Sequence, residues 1–284
     1  MMSNYYRFGP LLFQVEGLLP EAGAEDFLPR FSAAPGRADV VLSVSQQERL
    51  TLPATAQERF RSYGLQVFSD GGCCYAQYGG FQTPYAMLSY AFFRPMERSL
   101  QIAAQAVHFS QEVLLSCVML EDIFLRNGCA LLHASFILYE GQAILFTAPC
   151  GTGKSTQAAQ WHKYRGAEII NGDKTLLSFE ENRLIASGLP LAGTSGICEN
   201  LSAPVWAIAV LSQAAENRIA HLRGANAVKA LLAQIYVQRW LPESVSLAAD
   251  AAERIAGAVP VYSFACVPDE SAVCALENTL KGEC

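Results

Sequence analysis

The stretch TAPCGTGKST, residues 147–156, constrains the fold more than any other part of the chain. It follows an apolar run and precedes a helical pattern that ends near Gly166, so we predict a strand, a glycine loop and a helix in that order. Gly151 and Gly153 permit the sharp turns by which successive backbone N–H groups converge on phosphate oxygens. The usual pattern begins with glycine, whereas this chain has Ala148 there. Its placement favours phosphate binding over an incidental glycine turn.

Within such a loop each side chain has a predicted task. Lys154 would reach the β- and γ-phosphates, the Ser155 hydroxyl would bind Mg²⁺, and the N-terminus of the helix would add partial positive charge. Cys150 lies beside that helix start and Lys154, conditions that raise thiol reactivity; its alternative role is to fill a tight loop. The predicted phosphate-binding residues are Cys150, Gly151, Thr152, Gly153, Lys154, Ser155 and Thr156.

An acidic partner for the metal is expected at the end of another buried strand. In AEIINGDKTLL, residues 167–177, Ile169 and Ile170 lead to Asp173. We assign Asp173 to Mg²⁺, directly or through water; the alternative is a turn aspartate in Asn-Gly-Asp. The following TLLSFEENRLIASG predicts a hairpin with two solvated glutamates, Glu180 and Glu181, at its tip.

The chain divides by pattern into a β-rich N-terminal domain, residues 1–109, and a nucleotide-binding domain, residues 110–284. Five strands are predicted in the first, at 39–44, 65–68, 73–78, 85–93 and 99–104. A helix is predicted from an N-cap at Ser110 to Asn127-Gly128. Two strands, 129–139 and 142–147, then flank a turn at Glu140-Gly141. The predicted fold class is α/β with a mixed sheet in the second domain.

The segment HASFILYEGQAILFTAPCGTGKST resembles the catalytic domain of HPr kinase/phosphorylase, in which a histidine precedes the phosphate loop across a strand hairpin, as His133 precedes Ala148 here. The loop is also similar to that of ATP-dependent phosphoenolpyruvate carboxykinase. The chain resembles HPr-kinase-like proteins found beside biosynthetic genes for modified peptides, and residues 188–197, 203–211 and 261–276 share that resemblance. It implies a C-terminal P-loop domain of this type, ATP and Mg²⁺ as cofactors, and Asp173 in the acidic motif.

The chain departs from that family at the acidic motif. HPr kinase has two adjacent aspartates there, whereas Asp173 is followed by Lys174, which leaves the general base open. The resemblance implies that His133 lies near the γ-phosphate or the acceptor; on pattern alone it is a buried, satisfied histidine. Glu199 is either a displaced base or a surface-loop glutamate.

A third set of candidates follows the acidic motif. The segment 225–240 predicts an amphipathic helix, and Arg223, Lys229 and Arg239 would form a charge clamp on the nucleotide or remain solvated. Two aromatic residues after the loop, Trp161 and Tyr164, are predicted to lie in the core or an interface.

Composition excludes several classes of protein. The net charge is −6 with no basic footprint, so we expect no nucleic-acid partner. No apolar run approaches the ~20 residues of a membrane helix, so we expect no membrane partner. Nine cysteines at scattered spacings and a start without a secretory pattern favour reduced thiols in the cytoplasm. Cys73 and Cys74 are adjacent, which disfavours a zinc site.

Together these features predict an Mg-ATP-dependent kinase that transfers the γ-phosphate to a hydroxyl. The expected catalytic residues are Lys154, Asp173 and His133, with Ser155 and Asp173 on the metal. The acceptor would be a Ser or Thr of a peptide or small protein, or a small molecule. The alternative is a non-catalytic nucleotide-binding regulatory or scaffold protein, and a homo-oligomer stays open.

Overall fold

A computed structural model describes residues 3–20, 26–80, 83–106 and 109–282. The chain forms two compact units, Met1–Ile123 and Phe124–Cys284. The predicted domain limit between residues 109 and 110 stays a prediction.

The first unit is built on a mixed sheet. Its strands in the described residues are β1 (Ser3–Phe8), β2 (Leu11–Gly17), β3 (Val40–Gln47), β4 (Gln57–Ser62), β5 (Leu65–Ser69), β6 (Cys73–Gly79), β7 (Pro84–Ala91) and β8 (Glu97–Ala103), in the order β1-β2-β3-β8-β7-β6-β5-β4. Strand β3 pairs in parallel with β2 and β8, and the other pairs are antiparallel. Alternation places one face in the core, as in β6, where Cys74, Ala76 and Tyr78 are buried. The five predicted strands are confirmed as β3 and β5–β8.

Sequence patterns missed β1, β2 and β4. The first two form a hairpin in which Gly9 adopts a left-handed φ of 54°. Strand β4, QERFRS, is mostly exposed and pairs only with β5 at the edge of the sheet, so it has no alternation to detect.

The single helix predicted from Ser110 to Asn127 is wrong. It is two short helices, α1 (Gln111–Ser116) and α2 (Leu120–Arg126), although the Ser110 side chain does cap α1 by accepting from Val113 N at 3.2 Å. Met119 takes a left-handed φ of 53° between them. The buried Arg98 guanidinium donates to the Met119 carbonyl, and to that of the preceding residue, so these two carbonyls at the break have partners.

The second unit contains another mixed sheet and four helices among its described residues, besides the end of α2. The strands are β9 (Ala130–Tyr139), β10 (Gln142–Thr147), β11 (Glu168–Asn171), β12 (Lys174–Glu180), β13 (Arg183–Ser187), β14 (Ser202–Gln213), β15 (Arg218–Leu222) and β16 (Val261–Cys266). The helices are α3 (Lys154–Arg165), α4 (Ala225–Leu232), α5 (Pro242–Ala258) and α6 (Glu270–Lys281). The strand order is β10-β9-β12-β13-β14-β16-β15, with β11 on β9 and β10 also parallel to β14.

The elements predicted around the glycine loop are confirmed. Strands β9 and β10 form the hairpin with its turn at Glu140-Gly141, and α3 ends at Gly166 in the left-handed conformation. The β12–β13 hairpin has Glu181 at its tip. Helix α3 packs on the sheet through Trp161, which is fully buried, so its predicted core position is observed.

The predicted helix over 225–240 is wrong in its second half. Helix α4 ends at Leu232, and the chain then runs beside the start of β9. His133 N donates to Gln234 O at 2.9 Å, and Tyr236 N donates to Leu131 O at 2.9 Å. These bonds to an open strand edge replace the helical bonds that would have continued α4.

The structure is thus mixed α/β with two mixed sheets. None of the helices in the described ranges is both long and apolar enough to cross a membrane.

Candidate functional site

The glycine loop lies between the end of β10 and the start of α3. Gly151 has a φ of 77° and Gly153 a φ of 119°, conformations that favour glycine. A Cβ on either would meet no heavy atom within 4 Å, so backbone conformation, not crowding, requires glycine here. Gln157 N donates to Gly153 O at 2.9 Å as the first intrahelical bond of α3, which leaves the N–H groups of the first helical residues, 154–156, for another acceptor.

Lys154 is folded onto this loop. Its side chain is buried, and Nζ donates to Ala148 O at 3.0 Å and to Pro149 O at 3.4 Å. Burial lowers the pKa of Lys154, and the negative charge of Asp173 opposes that shift. The loop also adjoins the strand that carries His133, because the Thr147 hydroxyl at the start of the loop donates to His133 O at 2.8 Å.

The other loop side chains are open to solvent or nearly so. Cys150, Ser155 and Thr156 are exposed, and Thr152 is half-buried. A cavity of about 450 Å³ lies beside Thr152 and Thr156. It is lined by Thr152, Gly153, Thr156, Gln157, Gln213, Ala214, Cys266, Val267 and Pro268.

Asp173 lies in a turn organised by Asn171, a residue that sequence reasoning left without a task. The Asn171 Oδ1 accepts from Asp173 N and Lys174 N, both at 3.0 Å, and Nδ2 donates to Leu189 O at 3.0 Å. Asn171 is fully buried, so these bonds satisfy its amide. The Asn-Gly-Asp turn chemistry visible in the sequence therefore fixes the backbone of Asp173.

His133 and Lys174 converge on the Asp173 carboxylate. They are cross-strand partners in the β9–β12 register. His133 Nε2 lies 3.3 Å from Oδ1, and Lys174 Nζ lies 2.7 Å from Oδ2. The hydrogen bond from His133 and the bond and charge of Lys174 outweigh desolvation and hold the pKa of Asp173 well below its usual range.

Two further residues, Tyr236 and Gly193, adjoin the cluster of His133, Asp173 and Lys174, and sequence reasoning gave neither a role in the site. The Tyr236 ring centroid lies 5.9 Å from that of His133 and 5.8 Å from Lys174 Nζ. A Cβ at Gly193 would lie 2.8 Å from Asp173 Oδ2, so the backbone of the short 3₁₀ helix Gly193–Ser195 approaches the carboxylate closely. The first glycine of LAGTSGI, Gly193, was the available signal for such an approach.

The remaining candidates lie elsewhere on the second unit. Glu199 is exposed, and its N–H donates to Ile170 O at 2.8 Å. Arg223 Nε lies 3.3 Å from His221 Nδ1. Lys229 lines a separate cavity of about 900 Å³ formed by residues of α4 and α5, to which the described loop residues do not contribute.

The residues of the site fit Mg²⁺ bound through the Ser155 hydroxyl, but they do not fit Mg²⁺ bound directly by Asp173. Among the described residues no three His, Cys, Asp or Glu side chains group as a metal cage. Mg²⁺ is usually bound by few protein oxygens plus substrate phosphates, and the exposed Ser155 hydroxyl at the start of α3 fits that role. Direct binding by Asp173 does not fit this arrangement, because nitrogen donors already bind both of its oxygens.

A solved structure and a family model match the chain. The solved structure of the Hpr(Ser) kinase/phosphatase from Coxiella burnetii matches at 15% identity with a TM-score of 0.31, covering 54% of this chain and 99% of that one. No curated protein is significantly similar to the chain. The sequence model of the family described as "SynChlorMet cassette protein ScmC" matches residues 104–266, more than half of the chain. This match agrees with the predicted recognition of a protein of modified-peptide gene clusters, and the chain belongs to the ScmC family.

Proposed function

We propose that the chain is an ATP-dependent phosphotransferase that moves the γ-phosphate to a hydroxyl. The observation that carries the proposal is the Asp173 carboxylate, held by His133 and Lys174 on a strand pair that the start of the glycine loop contacts through the bond from Thr147 Oγ1 to His133 O. A glycine loop alone is a binding feature, whereas a fixed carboxylate on the adjoining strand pair adds a group that can position the acceptor of a phosphoryl transfer.

The nucleotide phosphates would lie on the loop. Backbone N–H groups before Gln157 would bind their oxygens, and Lys154 would turn from the Ala148 carbonyl toward the γ-phosphate. The 450 Å³ cavity beside Thr156 is large enough for the nucleoside part, which would lie against Gln213 and Pro268. This arrangement supports a nucleoside triphosphate as the ligand.

The chain's own residues would divide the work of transfer. The Ser155 hydroxyl would hold a phosphate-bound Mg²⁺, with Asp173 reaching it through water. That ion would neutralise charge on the transferred group. His133 and Lys174 keep Asp173 ionised, so it would orient the acceptor hydroxyl as a hydrogen-bond acceptor. A carboxylate with so low a pKa is a weak base, which is tolerable because positioning and charge neutralisation dominate phosphoryl transfer.

A Ser or Thr of a peptide or small protein is the favoured acceptor, with a small molecule as the alternative. The description of the family as a cassette protein of a modified-peptide cluster supports the peptide. The second candidate function is a nucleotide-binding regulator without transfer. The Lys174–Asp173 ion pair favours it, because it occupies an oxygen that catalysis would use.

Mass spectrometry of Ser- and Thr-containing peptides incubated with the protein, ATP and Mg²⁺ tests the proposal. We expect phosphopeptide and ADP from wild type and from Asp250→Asn, an exposed aspartate on α5, and neither from Asp173→Asn. ATP binding without ADP formation for every acceptor, including free hydroxyl compounds, would favour the regulator.

A further inference from the structure

Lys174 is placed as part of the site, not as a surface lysine. It begins β12 directly after Asp173, and its backbone N–H is held by Asn171 Oδ1 at 3.0 Å. Its Nζ lies 2.7 Å from Asp173 Oδ2 and 5.8 Å from the Tyr236 ring centroid. The side chain is only 24% exposed. Backbone, carboxylate and aromatic ring thus fix the ammonium in one place.

The ammonium changes the charge of the site. Lys154 and Lys174 against Asp173 leave one positive charge in excess, with His133 counted as neutral. Sites that recruit Mg²⁺ present carboxylates to it, and a carboxylate at position 174 would have left one negative charge in excess instead. The lysine therefore shifts the site by two charge units, which is the charge of one divalent cation.

The position of Lys174 suits this contribution of positive charge to the site. The Thr147 hydroxyl, at the start of the glycine loop, donates to His133 O at 2.8 Å, and Lys174 is the cross-strand partner of His133, so Lys174 lies on the strand pair that adjoins the loop. Phosphate oxygens compete well with a carboxylate for an ammonium group, because both are anionic hydrogen-bond acceptors.

We propose that Lys174 is a phosphate-binding residue that provides part of the positive charge usually brought by metal ions, so that ATP binding depends little on Mg²⁺. This inference rests on the proposed function, since it assumes that the loop binds ATP. Transfer itself can still require the metal at Ser155; the inference concerns binding.

Isothermal titration with ATP, in excess EDTA and in saturating Mg²⁺, tests it through binding alone. For wild type we expect the two dissociation constants to differ by less than about threefold. For Lys174→Met we expect binding in EDTA to weaken by about tenfold or more, and Mg²⁺ to restore most of it. Lys163→Met, an exposed lysine on α3, is the matched control and should behave as wild type, as should Lys174→Arg.

Two results would overturn the inference. One is wild-type binding that is weaker by tenfold or more in EDTA, a result that does not depend on any variant folding. The other is the same Mg²⁺ dependence in wild type and in a folded Lys174→Met, with folding checked by thermal unfolding. Absence of ATP binding in both conditions would instead contradict the proposed function.

Discussion

His133 and Lys174 lie directly opposite each other on strands β9 and β12, and their side-chain nitrogens bind the two oxygens of one carboxylate, that of Asp173. Opposed residues of an antiparallel pair project to the same face. A slip of one residue would send one of the two side chains to the other face. The register of this strand pair therefore sets the geometry of the site.

Replacing Lys154 by methionine should separate binding from stability. We expect ATP affinity to fall by at least about tenfold, or 1.4 kcal/mol, because the phosphate ligand is lost. Stability should not fall, because burial already disfavours the ammonium, as its lowered pKa indicates. Isothermal titration and thermal unfolding measure the two effects, with Lys163→Met as control. Unchanged ATP affinity would show that Lys154 does not bind the nucleotide.

Gly193→Ala and Gly196→Ala form a matched pair. Both glycines have a left-handed φ, 57° and 64°, so each alanine should cost about 1 kcal/mol in backbone strain. Only at Gly193 does the new Cβ meet Asp173, whose Oδ2 would lie 2.8 Å away, whereas at Gly196 it meets nothing within 4 Å. We expect urea unfolding to show a further loss of about 1 kcal/mol or more for Gly193→Ala. Equal losses of unfolding free energy in the two variants would show that the Asp173 carboxylate moves aside at no cost.

Local patterns predicted the parts of this site that are contiguous in sequence. The glycine loop, the β9–β10 hairpin and the Asn-Gly-Asp turn depend on turn chemistry and hydrophobic periodicity within a few residues. They position Lys154 and Asp173. The same local rules predicted β3 and β5–β8 in the first unit.

Long-range contacts decided the rest. Tyr236 was assigned to a helix because its apolar spacing continues that of α4, but hydrogen bonds to the edge of β9 prevail there. The break between α1 and α2 depends on Arg98, distant in sequence, binding the carbonyls it frees. The approach of Gly193 to Asp173 likewise joins distant segments, so no local pattern encodes it.

Cys150 should control access to the loop. Among the described cysteines it is the exposed one, and it lies in the glycine loop, whose N–H groups we propose to bind phosphate. We expect alkylation by N-ethylmaleimide to abolish ATP binding, ATP to slow the alkylation, and Cys150→Ser to bind ATP after the same treatment. Titration with ATP before and after treatment measures this. Equal inhibition of Cys150→Ser would place the sensitive thiol elsewhere.

Arg98→Met should strongly destabilise the first unit. The buried guanidinium pairs with Asp122, which is also fully buried, and breaking one side of such a buried ion pair costs about 3–5 kcal/mol. Arg94→Met is the control, because its pair with Glu97 at 3.4 Å is exposed and contributes about 0.5 kcal/mol or less. The double variant Arg98→Met/Asp122→Leu should recover part of the loss. Urea unfolding distinguishes these outcomes, and equal effects of the two single arginine variants would contradict the expectation.

Glu277 should make the second unit sensitive to acid. Desolvation alone would raise its pKa, but hydrogen bonds from Arg165 at 2.6 Å, Tyr139 at 2.8 Å and Lys281 at 3.0 Å outweigh it and lower the pKa to about 2. A carboxylate whose pKa is lower in the folded state stabilises that state above its unfolded value, 4.5, and loses this contribution as the pH falls toward 2.

Glu277→Gln should therefore reduce the free energy of unfolding at pH 7 by about 1–2 kcal/mol, allowing for partial solvent screening. The difference from wild type should shrink below pH 4.5 and be nearly gone near pH 2. Glu270→Gln is the control, because the Glu270 carboxylate is 56% exposed and lies 3.8 Å from Arg165. Such an exposed pair contributes about a few tenths of a kcal/mol wherever the carboxylate is ionised. Urea unfolding across this pH range measures both variants. If the difference in the free energy of unfolding between Glu277→Gln and wild type did not change with pH, side-chain packing at this position, and not the ionised carboxylate, would hold α6 against α3.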